Sequence, residues 1–251
     1  MEVPQSYSEG NNGYRWDNIG VMTNQGVELS VNADVLRLRD FVWNVNANVS
    51  FARNKILYMD EVKSQFAYQH QTGGPTGRYT GLYKFERLYQ NSDFTVDSKG
   101  NMSLDSSLPQ PYVAVAPGDA MYADLNGDGI VDSDDTMVTG YSTRPEYVFG
   151  LNAGFNWKGL NFSMQWTGAT HVNKMMEIEY RIPYTNAGGR GLLQYFYDDC
   201  WTPEHQTGTL PRAAEKSEVW NSSASTLWLR NARYLRLKTL SVGYTRKSSP
   251  K

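Results

Sequence analysis

Only one cysteine, Cys200, occurs in 251 residues, so no disulfide can form within the chain. A lone thiol reads first as a small, partly buried side chain and only then as a nucleophile. Histidine is equally sparse: His70, His171 and His205 stand far apart, show no HxxxH or CxxC spacing, and read as ordinary polar residues rather than metal ligands. Positive charge is not in excess. With 24 Lys and Arg against 26 Asp and Glu, the net charge of −2 excludes a broad basic field for nucleic acid. No GxSxG, Walker loop or GxGxxG is present, and AGGRG at 187–191 is too short for a phosphate loop. Acid pairs such as Glu177 and Glu179 arise in any chain with 26 carboxylates, and their spacing alone assigns no acid–base roles. These absences leave no basis for an enzyme. There is also no apolar run of about 18 residues, which excludes a transmembrane helix. A membrane barrel remains open, because barrel strands hide their hydrophobicity in alternation. The polar, turn-rich start EVPQSYSEGNNG carries no signal-peptide pattern.

Aromatic residues are what the chain has in quantity: 17 Tyr, 9 Phe and 7 Trp, with 40% hydrophobic residues overall and little net charge, which argues against disorder. Many of the rings fall on alternating positions. In FVWNVNANVSF, Phe41, Trp43, Val45, Ala47, Val49 and Phe51 share one face, while Val42, Asn44, Asn46, Asn48 and Ser50 share the other. Ordinary strands average about five or six residues, whereas a tilted membrane-spanning strand needs about nine to eleven. The same rhythm predicts strands over 26–36, 147–157, 160–169 and 234–245. The last of these changes phase between Leu237 and Leu240, which predicts a bulge. The connections alternate between short (four residues, then the Lys158-Gly159 turn) and long (about 52–146 and 170–233). Tight periplasmic turns and long extracellular loops are the habit of outer-membrane barrels. The fold class expected is therefore all-β, with antiparallel strands from a transmembrane barrel. A soluble antiparallel sandwich, whose strands also alternate, is the alternative, as a secreted calcium-dependent carbohydrate-binding or adhesion module.

One stretch within the first long loop, YADLNGDGIVDSDD (122–135), fits a calcium-loop template from Asp124 to Asp135. Asp124, Asn126 and Asp128 take the first three ligand positions and Gly129 the sharp turn. Ile130 offers a carbonyl, and Asp132 and Asp135 complete an all-oxygen set suited to a hard cation. The alternative is an Asp/Asn/Gly-rich turn that binds nothing. Gly140 and Pro145 follow too soon for the second helix of a sensor hand, so a structural Ca²⁺ bracing an outer loop is the expectation.

In these segments the chain resembles the SusC/RagA family of TonB-linked outer-membrane proteins. MTNQGVELSVNADVLRLRDFVWNVNANVSFARNKI (22–56) resembles the family's strand pair behind an N-x-G-x-E motif, and GGPTGRYTGLYKFERLYQNSDF (73–94) its glycine–tyrosine loop. The most specific piece, 117–169, joins Pro117-Gly118-Asp119, the metal loop, Gly140 and a strand hairpin. STLWLRNARYLRLKTLSVGYT (225–245) resembles a late barrel strand. The resemblance implies a plugged barrel of about 22 strands in the cell outer membrane. It further implies import of an oligosaccharide or peptide substrate with a SusD-like surface lipoprotein, powered through TonB, with no nucleic acid partner. Five or six strands cannot close even a barrel of about eight. The expectation is an internal fragment, lacking the plug and closing strands, whose open edges seek partners. Tyr79, Tyr83, Tyr89, Tyr195, Tyr197, Trp201 and Trp220 are candidate substrate-stacking rings, each equally readable as loop packing.

Overall fold

The alternating segments pair into one five-stranded antiparallel sheet in the computed structural model, which describes residues 2–4, 14–16, 18–184, 191–213 and 219–246. Most of the glycine–arginine stretch, 187–190, lies outside the described residues. Val21–Arg37, Phe41–Tyr58, Tyr147–Trp157, Leu160–Thr170 and Tyr234–Tyr244 lie side by side in chain order, an up-and-down meander. We call these the first to fifth wall strands. Lys158 and Gly159 both have positive φ (46° and 92°), the primed-turn geometry whose twist matches that of the flanking strands. The phase change in the fifth strand coincides with a register slip. Gln165 faces Thr239 but Trp166 faces Leu237, leaving Lys238 as the extra residue.

The first two strands are longer than alternation alone predicts, at 17 and 18 residues. Residues 52–58 do not alternate, yet they continue to pair with 21–26 through backbone bonds. Amphipathic rhythm marks only the part of a strand with two different faces to satisfy, so this extension was invisible to it.

Register turns the alternation into two continuous surfaces. On one, Leu29, Val49, Phe149, Gly168 and Leu235 form a row across all five strands. Val31–Ala47–Leu151–Trp166–Leu237 and Leu36–Trp43–Phe155–Phe162–Val242 form others. From the Phe41 row to the Phe51 row, about ten residues at about 3.3 Å each and tilted about 40° span about 25 Å, the height of a lipid-facing band. Rings gather at the short-turn end, where Phe41 and Phe162 each stack on Phe155 (5.7 and 5.2 Å), and at the far end, where Phe51 meets Tyr147 (4.7 Å). Among the described residues no second layer covers this surface: Val27 is 71% exposed and Val242 67%. The sandwich alternative fails on that observation, because a sandwich buries its apolar face. Among the described residues no further strand pairs with the outer edge of the first or fifth strand, so the sheet is an unclosed arc.

The long connections are not structureless. Short pairs such as Tyr79–Tyr83 with Thr136–Thr139, Phe85–Leu88 with Ala120–Tyr122, and Asn173–Met175 with Leu229–Asn231 build a cap on the wall. The cap holds its own buried clusters. Tyr83, Ala120, Tyr122, Val131 and Trp220 form one; Phe196, Cys200, Leu210, Leu227 and Trp228 form the other. With Leu82, Leu88 and Tyr89, also buried, these clusters give the cap a dry interior of its own.

Candidate functional site: the polar wall face and its cap

The second face of the wall is amide-rich. Asn32, Asn46, Asn152, Gln165 and Thr239 stand in one cross-strand row, with Asp34, Asn44, Gly154, Ser163 and Ser241 beside it. Such a row offers both donors and acceptors with little fixed charge, a surface for polar, uncharged groups. Glycines at Gly150 and Gly154 leave room there: a Cβ at Gly150 would come within 2.7 Å of the Asn48 side chain.

Above the wall, the two long loops are locked together through Asp119. Its carboxylate is buried and accepts from Arg212 Nε (2.6 Å) and Nη2 (3.2 Å), Asn221 Nδ2 (2.8 Å) and the Ala116 amide (2.8 Å). Asn221 Oδ1 accepts in turn from the Ala120 amide (2.8 Å), and the Trp220 indole donates to the Ala120 carbonyl (2.8 Å). Backbone bonds from Tyr83 to Ala224 and from Thr226 to Tyr83 (3.0 Å each) tie the same two loops. Gly118 has φ +86°, and a Cβ on it would meet the Trp201 ring at 2.4 Å, so this position takes only glycine. Asp119 ends the Pro117-Gly118-Asp119 motif, but its side-chain partners Arg212 and Asn221 lie 93 and 102 residues away and no local signal points to them.

The candidate stacking rings divide sharply. Tyr83, Tyr89, Trp201 and Trp220 are buried in the cap and present no open face to a solute. Burial pushes the Tyr83 and Tyr89 phenols up to about 12. The Tyr79 hydroxyl accepts from the Met175 amide (2.8 Å) and serves as a strut. Tyr197, 69% exposed, and Tyr195, whose hydroxyl donates to the Tyr180 carbonyl, remain at the surface of a short helix, Gln194–Asp199. Cys200 caps the C-terminal end of that helix and is buried, and desolvation raises its pKa, so the thiolate is disfavoured. Glu177 and Glu179 sit at the start of the helix Ile178–Arg181. The His70 ring lies 2.8 Å from the Ser64 carbonyl, and His205 sits in a turn with Thr202.

His171 belongs to a cluster instead. Its Nδ1 lies 3.1 Å from Glu146 Oε2, its ring stacks on Tyr141 (4.5 Å), and Arg53 reaches the same carboxylate through Nε and Nη2 at 2.7 and 2.6 Å. The Arg53 hydrogen bond, helped by His171, holds the Glu146 carboxyl below its ordinary value against the opposing effect of burial. The cluster joins the top of the second strand to the start of the third and the end of the fourth.

In the acidic loop the side chains turn onto the loop's own backbone. Asp124 accepts from the Gly127 and Gly129 amides (2.6 and 2.8 Å), Asp128 from Ile130 (2.8 Å) and Asp132 from Asp134 (2.8 Å). Asn126 accepts from the Asp128 amide (2.9 Å) and donates to its carboxylate (3.0 Å). Asp135, fully buried, accepts from the Leu125, Asn126 and Asp132 amides. Among the described residues no three acidic, histidine or cysteine side chains gather as a metal-binding group. The donor chemistry suits a hard cation, since every candidate atom is oxygen and each carboxylate retains lone pairs beyond those bonds. A strand precedes the loop, a 3-10 turn forms its last three residues and a further strand follows; no α-helix flanks it. Tyr68 and Gln69 donate to the Asp134 carbonyl (2.8 and 3.0 Å), and burial together with the loop's carboxylates raises the Tyr68 phenol.

An exposed apolar belt between aromatic rims, an amide-rich reverse face, tight turns at one end and a folded cap at the other define an arc of outer-membrane β-barrel wall. Known proteins agree with that class. The chain is 31% identical over 239 residues to TonB-dependent receptor P26 of Formosa agariphila, a match covering 90% of this chain and 22% of the relative. It is 21% identical over 232 residues to TonB-dependent receptor SusC of Bacteroides thetaiotaomicron, covering 91% of this chain and 21% of the relative. Among solved structures, the RagAB peptide importer in its open-open state aligns over 97% of this chain and 24% of that one, with TM-score 0.64 and 19% identity. The RagAB peptide transporter aligns with TM-score 0.60 and 21% identity, over 96% of this chain and 25% of that one. No family profile matches the chain. The chain spans about a fifth of the length of the curated relatives it matches. It belongs to the SusC/RagA-like TonB-dependent receptors, as a portion of the barrel and outer loops, and its place is the outer membrane. The matched proteins are receptors and transporters, not enzymes.

Proposed function

We propose that the chain supplies wall and cap to an importer that takes up oligosaccharides or peptides, energised through TonB and working with a SusD-like surface lipoprotein. The observation carrying this reading is the amide row Asn32–Asn46–Asn152–Gln165–Thr239 on the face opposite the lipid belt. A wide lumen lined this way passes polar, uncharged solutes without holding them. The peptide importers among the structural neighbours and the receptor names of the relatives support it. The test is uptake of fluorescent oligosaccharide and peptide panels by cells with and without the complete receptor. Uptake of one class should vanish on deletion and on collapse of the inner-membrane proton gradient. Unchanged uptake of both classes would overturn the reading.

In the same proposal, the acidic loop holds a structural Ca²⁺ through Asp124, Asn126, Asp128, Asp132 and Asp135 with the Ile130 carbonyl. The bound ion would offset the mutual repulsion of the four ligating carboxylates. What supports it is the oxygen-only donor set in template register. The Asp124→Ala/Asp128→Ala receptor should lose sensitised terbium luminescence, and an equal signal in the double variant would refute the site.

A further inference from the structure

We propose that the outward shoulder of the wall, where Arg53, Lys55 and Arg78 line one cleft, binds the phosphate of an outer-leaflet lipid head group. The inference rests on the outer-membrane placement and is independent of which solute is carried.

Position comes first. Arg53 and Lys55 continue the odd-numbered face that runs Phe41 to Phe51, the face of the lipid belt. The Arg53 guanidinium lies 5.8 Å from the centre of the Phe51 ring, and Phe51 with Tyr147 forms the belt's upper aromatic rim. Two residues along a strand are about 7 Å, so Arg53 emerges about one such step and Lys55 about two beyond the rim, at the depth of head groups.

Charge comes second. Glu146 is the carboxylate that lines this cleft, and it is already shared by Arg53 and His171. Lys55 is exposed and makes no ion pair among the described residues. Arg78 is half-buried, yet its guanidinium donates only to main-chain carbonyls, those of Gln71 (2.9 Å) and Pro75 (3.3 Å). The acid it senses, Glu61, accepts from the Gln71 and Thr72 amides. Burial lowers the Arg78 pKa, so the site disfavours its charge and would gain from an incoming anion.

The cleft is also shaped for that arginine. A Cβ at Gly74 would lie 2.1 Å from the Arg78 guanidinium, so glycine is what lets the planar group lie across the 73–75 turn. The Gly73 and Gly74 backbone pairs with Ile56 (2.9 Å each way), which holds that turn beside Lys55. Arg53 and Arg78 spend Nε and Nη2 on Glu146 and on the Pro75 and Gln71 carbonyls, which leaves their Nη1 groups and the Lys55 ammonium as donors around a single opening, a set that suits the three oxygens of a phosphate monoester. A soluble substrate anion is the poorer occupant, because the two strand-borne cations emerge on the belt side and not on the amide-rich side.

The experiment uses the complete receptor in phosphatidylcholine nanodiscs, with native mass spectrometry counting retained lipid. The probes are lipid A, dephosphorylated lipid A and millimolar inorganic phosphate. The wild-type receptor should retain lipid A at least tenfold better than the dephosphorylated form. Lys55→Gln/Arg78→Gln should lower that retention about tenfold while thermal unfolding stays within a few degrees. Should the double variant fold poorly, Lys55→Gln alone, at an exposed position, is expected to lower retention about threefold. Equal retention of the two lipids, or no change in a folded variant, overturns the proposal. Full displacement of lipid A by inorganic phosphate overturns it too, pointing to a soluble-anion site. A wild-type receptor absent from the outer membrane would instead sink the placement on which the site depends.

Discussion

Replacing Asp119 with alanine removes one acceptor on which four donors converge: two from Arg212, one from Asn221 and the Ala116 amide. Breaking a buried ion pair by deleting one partner costs about 3–5 kcal/mol. The Arg212 side chain is 31% exposed and recovers part of its solvation, which argues for the lower end, about 3 kcal/mol. That loss should fall on the cap and spare the wall, whose ladder shares no bond with Asp119. Native-state hydrogen exchange of the complete receptor reads both at once. The Tyr83, Ala120 and Thr226 amides, which carry the bonds between the two loops, should exchange about 100-fold faster. Amides within the paired third and fourth strands should keep their rates. Asp119→Asn preserves the shape and should show a smaller acceleration. Arg212→Ala combined with Asp119→Ala should add little beyond the single changes, because both remove the same interaction. A cap acceleration under about threefold, or an equal acceleration in the wall, would refute the lock.

Three further outcomes test other parts of the structure. Leu151→Arg, near the middle of the apolar belt, should destabilise the barrel in lipid vesicles by about 2–4 kcal/mol; Asn152→Arg, one residue on and facing the other way, should change unfolding by well under 1 kcal/mol, and equal effects would erase the assignment of faces. Gly118→Ala should loosen the cap by about 2–4 kcal/mol, from a strained positive φ and a clash with Trp201, seen as exchange of the Trp201 amide; a silent substitution would contradict the close approach. Acid should weaken the Arg53–Glu146–His171 cluster: the Glu146 pKa is depressed in the folded state, so its contribution is full above the ordinary value near 4.5 and is lost as pH falls through the lower folded value. Exchange at the Ala52 amide, which donates to the Glu146 carbonyl, checks this, and a rate with no pH dependence beyond intrinsic chemistry in that window would refute it.

The wall was legible because lipid and water impose opposite demands on alternate residues, and that demand is written locally. The Lys158-Gly159 turn and the slip at Lys238 could be read for the same reason: each interrupts a pattern with a known period. The cap obeys no such rule. Its stability rests on Asp119 with Arg212 and Asn221, and on Tyr83 with Ala224, contacts between loops far apart in sequence. The acidic loop shows a third situation. Template spacing nominates oxygens for a cation but says nothing of their orientation, which depends on the backbone amides each carboxylate meets within its own turn.

Aromatic residues make the difference concrete, since one residue type serves two solvents in this chain. Rings that keep step with their neighbours at every second position, such as Phe41, Trp43, Phe149 and Trp157, lie on the belt face, where lipid stabilises them and no layer of the described residues covers them. Rings out of step, such as Tyr89, Tyr122, Trp201 and Trp228, are buried in the cap, and Tyr122 and the two tryptophans each carry a polar hydrogen to a specific acceptor: the Trp220 carbonyl, Gln90 and the Asn221 carbonyl. A belt ring therefore contributes through area and tolerates exchange for another apolar side chain. A cap ring contributes through shape and a directed bond, so exchanging Trp228 for phenylalanine strands the buried Asn221 carbonyl and empties part of a packed cluster. Mutational tolerance at the aromatic positions should thus sort by sequence period and not by ring size.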